Sequence, residues 1–351
     1  MRQLVLPIVV LAAACGDDLP CDPASSACTL DHAVSTVTVP AGTEDEDTCQ
    51  SWTLDNPTEL WVHSVTQHND GAYHHANWFF VPDDQFALPD GAWPCSANNF
   101  DELVAALAGG FLFALSTQST EETQTLPSAA GIRIPPYSRI IGSSHFLNAT
   151  DAPITTTMRL TLDTLPRSQV NAKLAPARIQ YHDLHLDPQA RSSFTTECQL
   201  DTEYAKWADG PFHYTLYFAL VHYHSLGLYQ QLEIAGGPRD GEVIMRHDGY
   251  GDNAGHAIDP PLDLAAAGAR GLRLTCGYEN PRASEVRWGI GDQEMCVMAL
   301  QAATEIGWDG DVADGTGAKI GVGPDGEVQY QGACGVNSFP WDFTKEGGQG
   351  H

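Results

Sequence analysis

At 351 residues the chain can bury two ordinary cores, so two domains are the starting expectation. Its 17 Lys and Arg against 45 Asp and Glu leave a formal net charge of −28, which repels phosphate backbones and anionic lipid surfaces and excludes nucleic acid as a partner. A hydrophobic fraction of 42% with 33 Gly and 22 Pro describes ordered, turn-rich structure and points to an all-β chain.

The N-terminus runs from Met1-Arg2-Gln3 through an apolar stretch, Leu4–Ala14, to Cys15-Gly16-Asp17-Asp18. The stretch is too short to span a bilayer, and it resembles the signal and lipobox of a bacterial lipoprotein. That resemblance implies a signal peptide over 1–14, lipidation of Cys15, a linker over 15–30 and an exported, membrane-anchored protein. Ala12 stands where such boxes usually carry Leu, and an ordinary cleaved signal is the alternative; both readings take the protein out of the cytoplasm. Export matters for the nine cysteines: without Cys15 the other eight form an even set in an oxidising compartment, enough for four disulfides. Cys21 and Cys28 could close a small local loop.

From Thr29 the sequence alternates as strands do, for example over Val34–Val39 and Leu60–Val65, with turn residues between the runs. A helix-like stretch, Phe100–Leu115, enters through Asn98-Asn99-Phe100-Asp101 and is expected to pack on a sheet. A second strand series begins near Met158, and Pro166 within Asp163–Val170 marks a seam. The expected architecture is two tandem antiparallel jelly-roll-like β-sandwiches, 31–165 and 166–340, with a tail over 341–351. Trp308–Glu327 is rich in Gly and Asp and is expected to be a loop or hairpin insertion. Asp309, Asp311 and Asp314 suggest a calcium loop, but Ile320 stands where the closing acid belongs, so the stretch is taken as a solvated turn.

The strongest chemical signal is Phe212–Gly227. In a strand the even positions share one face, so Phe212, Tyr214, Leu216, Phe218 and Leu220 lead to His222 and His224, two neighbouring imidazoles that can clamp a metal. Downstream, Met295 sits in Glu294-Met295-Cys296 between glycine-bordered, polar neighbours. The order His222-Tyr223-His224-Ser225-Leu226-Gly227, then Leu274-Thr275-Cys276, then Glu294-Met295-Cys296 resembles the C-terminal domain of the copper type II, ascorbate-dependent monooxygenases.

That resemblance implies one copper held by His222, His224 and Met295, the catalytic ion, with Cys276 and Cys296 joined beside it. A thioether with two imidazoles favours Cu(I) and leaves a position open for O₂. It implies a second copper on the adjacent pair His74 and His75 with His145 as third ligand. Adjacent strand residues point to opposite faces, so His74 and His75 can share a metal only where the backbone twists or where both bind through the nearer ring nitrogen. The same likeness implies the bridges Cys49–Cys95 and Cys198–Cys334. Other histidines, His63, His68, His182, His185, His213, His247 and His256, lack partners at ligand spacing and are expected to be mostly surface or hydrogen-bonded residues.

The implied activity is hydroxylation of a C–H bond of a small molecule with O₂, two coppers and a one-electron reductant such as ascorbate. Where peptidylglycine hydroxylases carry a carboxylate-gripping arginine and a tyrosine, this chain has Leu220 and Ala299, so a neutral substrate is expected. An exported, non-enzymatic copper-sequestering lipoprotein is the main alternative. A jelly-roll adhesion module whose histidines have no metal role is the third.

Overall fold

The computed structural model describes residues 21–344 apart from 24, 87, 88, 116, 117, 252, 253 and 290. The signal, Cys15 and most of the tail therefore lie outside the described residues. Within them the chain is all-β and jelly-roll-like, built in four larger sheets.

Strands up to Thr164 make the first two sheets. One runs in the order Cys28–Val39, Ile154–Thr164, Leu60–Asn69, Ala130–Ile134, with Glu121–Thr125 also on Leu60–Asn69. The other runs Gly91–Pro94, Thr43–Thr53, Ser138–Asn148, Tyr73–Pro82, Gly110–Leu115. From Ala175 onward a third sheet runs Gly255–Asp263, Thr215–His222, Val297–Ala303, Ala175–Tyr181, Ile306–Val312, Gly335–Pro340. The fourth runs Val243–Asp248, Gly227–Ala235, Gly271–Asn280, Ala190–Gln199, Val328–Ala333, Ala318–Val322. Most neighbours are antiparallel; Ala175–Tyr181 with Ile306–Val312 and Ala190–Gln199 with Val328–Ala333 are parallel. The short Ala172–Lys173 strand reaches back as a parallel partner of Ala130–Ile134.

Strands form here because β-branched and aromatic residues alternate with polar ones, so that one face of each strand can be buried. In Ile154–Thr164 the buried positions include Thr156, Met158, Leu160, Leu162 and Thr164, while Thr155 and Arg159 face solvent. One continuous core takes residues from all four sheets, from Leu30 and Trp78 to Phe194 and Trp308, so the two halves share their apolar interior.

Two sequence expectations change. Within Phe100–Leu115 only Glu102–Ala108 is helical, capped by the Asp101 carboxylate accepting from Val104 N–H at 2.9 Å. The rest of the expected helix, Gly110–Leu115, is a strand. The break falls at Gly109, where a Cβ would stand 1.7 Å from the Phe80 carbonyl oxygen: the chain passes too close to its neighbour for another turn. The Met158 series belongs to the first sheet and pairs with Cys28–Val39, on the first side of the expected seam. Trp308–Glu327 is no insertion: Trp308 lies within the Ile306–Val312 strand of the third sheet, and Ala318–Val322 pairs with Val328–Ala333. Its glycine and aspartate content hid buried Trp308 and Val312, and Asp309 is held by Arg178 at 2.8 and 3.0 Å.

The structure joins Cys21 to Cys28, Cys49 to Cys95, Cys198 to Cys334 and Cys276 to Cys296. Cys198 and Cys334 are 136 residues apart in sequence, and the parallel pairing of Glu197 with Ala333 brings them together. A bridge closing so long a loop removes much entropy from the unfolded chain. Replacing both cysteines with alanine is expected to cost about 2–5 kcal/mol, read as a lower urea midpoint with a steeper slope, because the uncrosslinked unfolded chain exposes more surface. An unchanged midpoint would show that this tie contributes nothing.

Candidate functional site

The side chains singled out in the sequence gather where the second and third sheets meet. His75 stands opposite His145 on neighbouring strands, their ring centroids 4.1 Å apart. The register of this pairing shifts between Tyr73 and His75, so a bulge falls at His74 and supplies the local twist that two adjacent ligands need. Both rings of the pair approach the second half: His74 lies 6.1 Å and His75 5.8 Å from the ring of His224.

From the other side, Thr215–His222 brings in His222, whose ring is 5.3 Å from that of His75. His222 Nε2 is 3.3 Å from Met295 Sδ. Met295 is held from behind, since the Tyr278 hydroxyl donates to its carbonyl oxygen at 2.5 Å and its neighbour Cys296 is tied to Cys276. The six side chains thus form one cluster across the seam.

His224 Nδ1 donates to the Gln293 carbonyl oxygen at 2.8 Å. A carbonyl only accepts, so this bond fixes the tautomer and leaves a lone pair on Nε2, which is buried with no hydrogen-bond partner. Both nitrogens of buried His75 also lack partners. His74 Nδ1 meets Gln118 Nε2 at 3.0 Å. Burial holds these rings neutral: it lowers His74 and His145 to about 4 and His222 to about 3, and takes His75 well below its ordinary value, with neighbouring imidazoles adding to each shift. Burial also lowers His224, against the opposing pull of the Gln293 carbonyl.

Two contributors escaped the sequence reading. Glu294 is buried, and its carboxylate accepts from His224 N–H and Leu226 N–H, both at 2.8 Å. Burial raises it to about 7, opposed by the same backbone donors. It lies beside Met295 and grips the turn that carries His224, so one residue fixes both segments; its place in Glu294-Met295-Cys296 was the available signal. The second is Gln293, whose carbonyl orients His224 and which no side-chain pattern could announce. Beside the cluster a cavity of about 700 Å³ is lined by residues of both halves, among them His145, Met295, Arg178, Leu220, Trp288 and Ala299.

Several of the other histidines are hydrogen-bonded or stacked. His247 Nδ1 and His256 Nε2 are 2.9 Å apart, His213 meets Glu305 at 3.2 Å, and His63 Nδ1 reaches the Ala130 carbonyl oxygen at 2.9 Å. His182 stacks on Trp288.

No known family matches the chain, and no curated protein matches it in sequence. Weakly similar solved structures include proteins of viruses. The major capsid protein P2 of bacteriophage PM2 is 10% identical, with 79% of this chain and 97% of that one covered at a TM-score of 0.31. A protein of broad bean stain virus is 8% identical, covering 85% and 95% at a TM-score of 0.34. A triple jelly-roll protein of an archaeal virus is 10% identical, covering 77% and 60% at a TM-score of 0.23.

These findings correct the expected membership of the copper monooxygenases. No family matches, and among the described residues no group of three or more His, Cys, Asp or Glu is placed to hold a metal. The physical reason lies in the cluster: the two expected three-ligand sets face one another within ring-contact distance, which leaves no separation for two independent ions. The monooxygenase activity, its small-molecule substrate and O₂, and the alternative of a copper-sequestering lipoprotein are corrected with it. The likeness to shell proteins extends to the jelly-roll fold alone.

Proposed function

We propose that the protein is a non-enzymatic two-sandwich scaffold whose halves are fastened by a single soft transition-metal ion bound at the seam. The candidate ligands are Met295 and His222 from the second half and an unpartnered nitrogen of His75 from the first, a thioether with two imidazoles. Copper in its reduced state is the ion this mixed set suits best, because a thioether adds affinity for soft ions and little for hard ones.

The observation that carries the reading is the buried imidazole of His75, unpartnered at both nitrogens, beside a histidine–thioether contact from the other half. A buried nitrogen without a partner costs about 1–3 kcal/mol, and a metal would satisfy it. Two donors bound to one ion at about 2.0–2.3 Å stand about 3–3.5 Å apart, a range that includes the 3.3 Å between His222 Nε2 and Met295 Sδ.

The test is Cu(I) titration of the full chain under anaerobic conditions, read by competition with a chromogenic chelator and by thermal unfolding. One equivalent is expected to bind and to raise the unfolding temperature, since a ligand at 1,000 times its Kd adds about 4 kcal/mol. His75→Ala in the first half and His222→Ala in the second should each abolish the shift. An absence of stoichiometric binding, or full binding by His75→Ala, would overturn a site shared between halves.

A further inference from the structure

A second histidine pair lies away from this cluster, and its geometry is independent of the reading above. Val243–Asp248 is the outermost strand of the fourth sheet and Gly255–Asp263 the outermost strand of the third, and both edges lie on the same side of the second half. His247 on the first and His256 on the second are half-buried, and their facing nitrogens, Nδ1 and Nε2, are 2.9 Å apart. The rings cross at 76° with centroids 5.1 Å apart, so they meet edge to edge and are not stacked. Tyr223 closes the inner side, its ring 6.1 Å from that of His247 and its hydroxyl bonded to the Gly249 carbonyl.

We propose that His247 and His256 form a two-nitrogen site for a divalent transition-metal ion that staples the open edges of the two sheets. The spacing selects the kind of ion. With metal–nitrogen bonds of about 2.0–2.1 Å, nitrogens about 2.9 Å apart subtend about 90° at the metal, whereas a tetrahedral ion needs about 3.3 Å. Right angles belong to square-planar and octahedral ions, so Ni(II) fits the pair as it stands and Zn(II) requires it to open. Water completes the coordination on the solvent side.

The proton balance closes without acid or base. In the metal-free pair one ring donates its N–H to the other's lone pair. If His247 donates, that proton moves from Nδ1 to Nε2 as the metal enters, while His256 already offers the lone pair of Nε2 and keeps its proton on Nδ1. Both facing nitrogens then bind the ion and both rings remain neutral.

Equilibrium dialysis of the full chain against NiCl₂ tests the assignment, with His247→Asn, His256→Asn and the double variant His222→Gln/His224→Gln compared under the same conditions. Near-UV circular dichroism checks the fold of each. Either single substitution at the pair should lower Ni(II) affinity at least tenfold, while the double variant keeps one Ni(II) equivalent. Retained binding in His256→Asn, or loss only in the double variant, overturns the site. Should the pair variants fail to fold, the wild-type chain decides: Ni(II) should protect His247 and His256 from diethyl pyrocarbonate modification as mapped by mass spectrometry. Equal modification with and without the ion overturns the proposal.

Discussion

Met295→Leu is expected to weaken Cu(I) binding at the seam about 100-fold, equivalent to about 2.7 kcal/mol, while Zn(II) binding changes little. Leucine fills nearly the same volume, so the substitution should cost under about 1.5 kcal/mol of stability and leave the cluster's imidazoles in place. What it removes is the one soft donor, which touches His222 Nε2 at 3.3 Å. The split between the two metals makes the measurement informative: a packing role would disturb both ions alike, and a ligand role disturbs the soft one. Parallel chelator competitions with Cu(I) and Zn(II) on wild type and variant read it directly. Equal losses for both metals, or none for either, would remove Met295 from the site.

The alternation that marks strands was legible where one face of a strand meets the core, as in Thr36–Val39 and Thr215–Phe218. It failed where tertiary context outweighed local pattern. Gly110–Leu115 carries the apolar density of a helix, yet it becomes a strand because its backbone pairs with Tyr73–Pro82. Glycine and aspartate in Ile306–Val312 imitate a loop, yet Gly310 is required there: a Cβ would stand 2.8 Å from the sulfurs of both Cys198 and Cys334. A strand packed against a disulfide needs small residues, and composition alone reads such residues as turns.

For the site, the His222–His224 spacing and the Glu294-Met295-Cys296 run were visible because each spans a few consecutive residues, although the expected long strand ends at His222 and His224 stands on the turn after it. The approach of His75 to His222 and His224 depends on how the two halves pack, which no local pattern encodes. Unrelated neighbours can also be drawn together by packing alone, as His247 and His256 are across two sheet edges. A motif therefore identified the side chains, while the layering of the sheets decided that they share one cluster.

Glu294→Ala is expected to cost about 3 kcal/mol, because it leaves two buried backbone donors, His224 N–H and Leu226 N–H, without acceptors. The same change should reach the metal site through geometry. The turn after Thr215–His222 is held to the Gln293–Met295 segment by these two bonds and by the His224–Gln293 contact. Losing two of the three lets this turn, and His222 at its start, drift from Met295 without altering any ligand. Cu(I) affinity should therefore fall by about tenfold, or about 1.4 kcal/mol, together with the urea midpoint. Glu294→Gln keeps one carboxyl-type oxygen as acceptor and sets an amide donor against the other N–H, so it should recover only part of both losses. A Glu294→Ala chain that unfolds earlier yet binds Cu(I) with wild-type affinity would show that the carboxylate supports the fold without positioning the ligands.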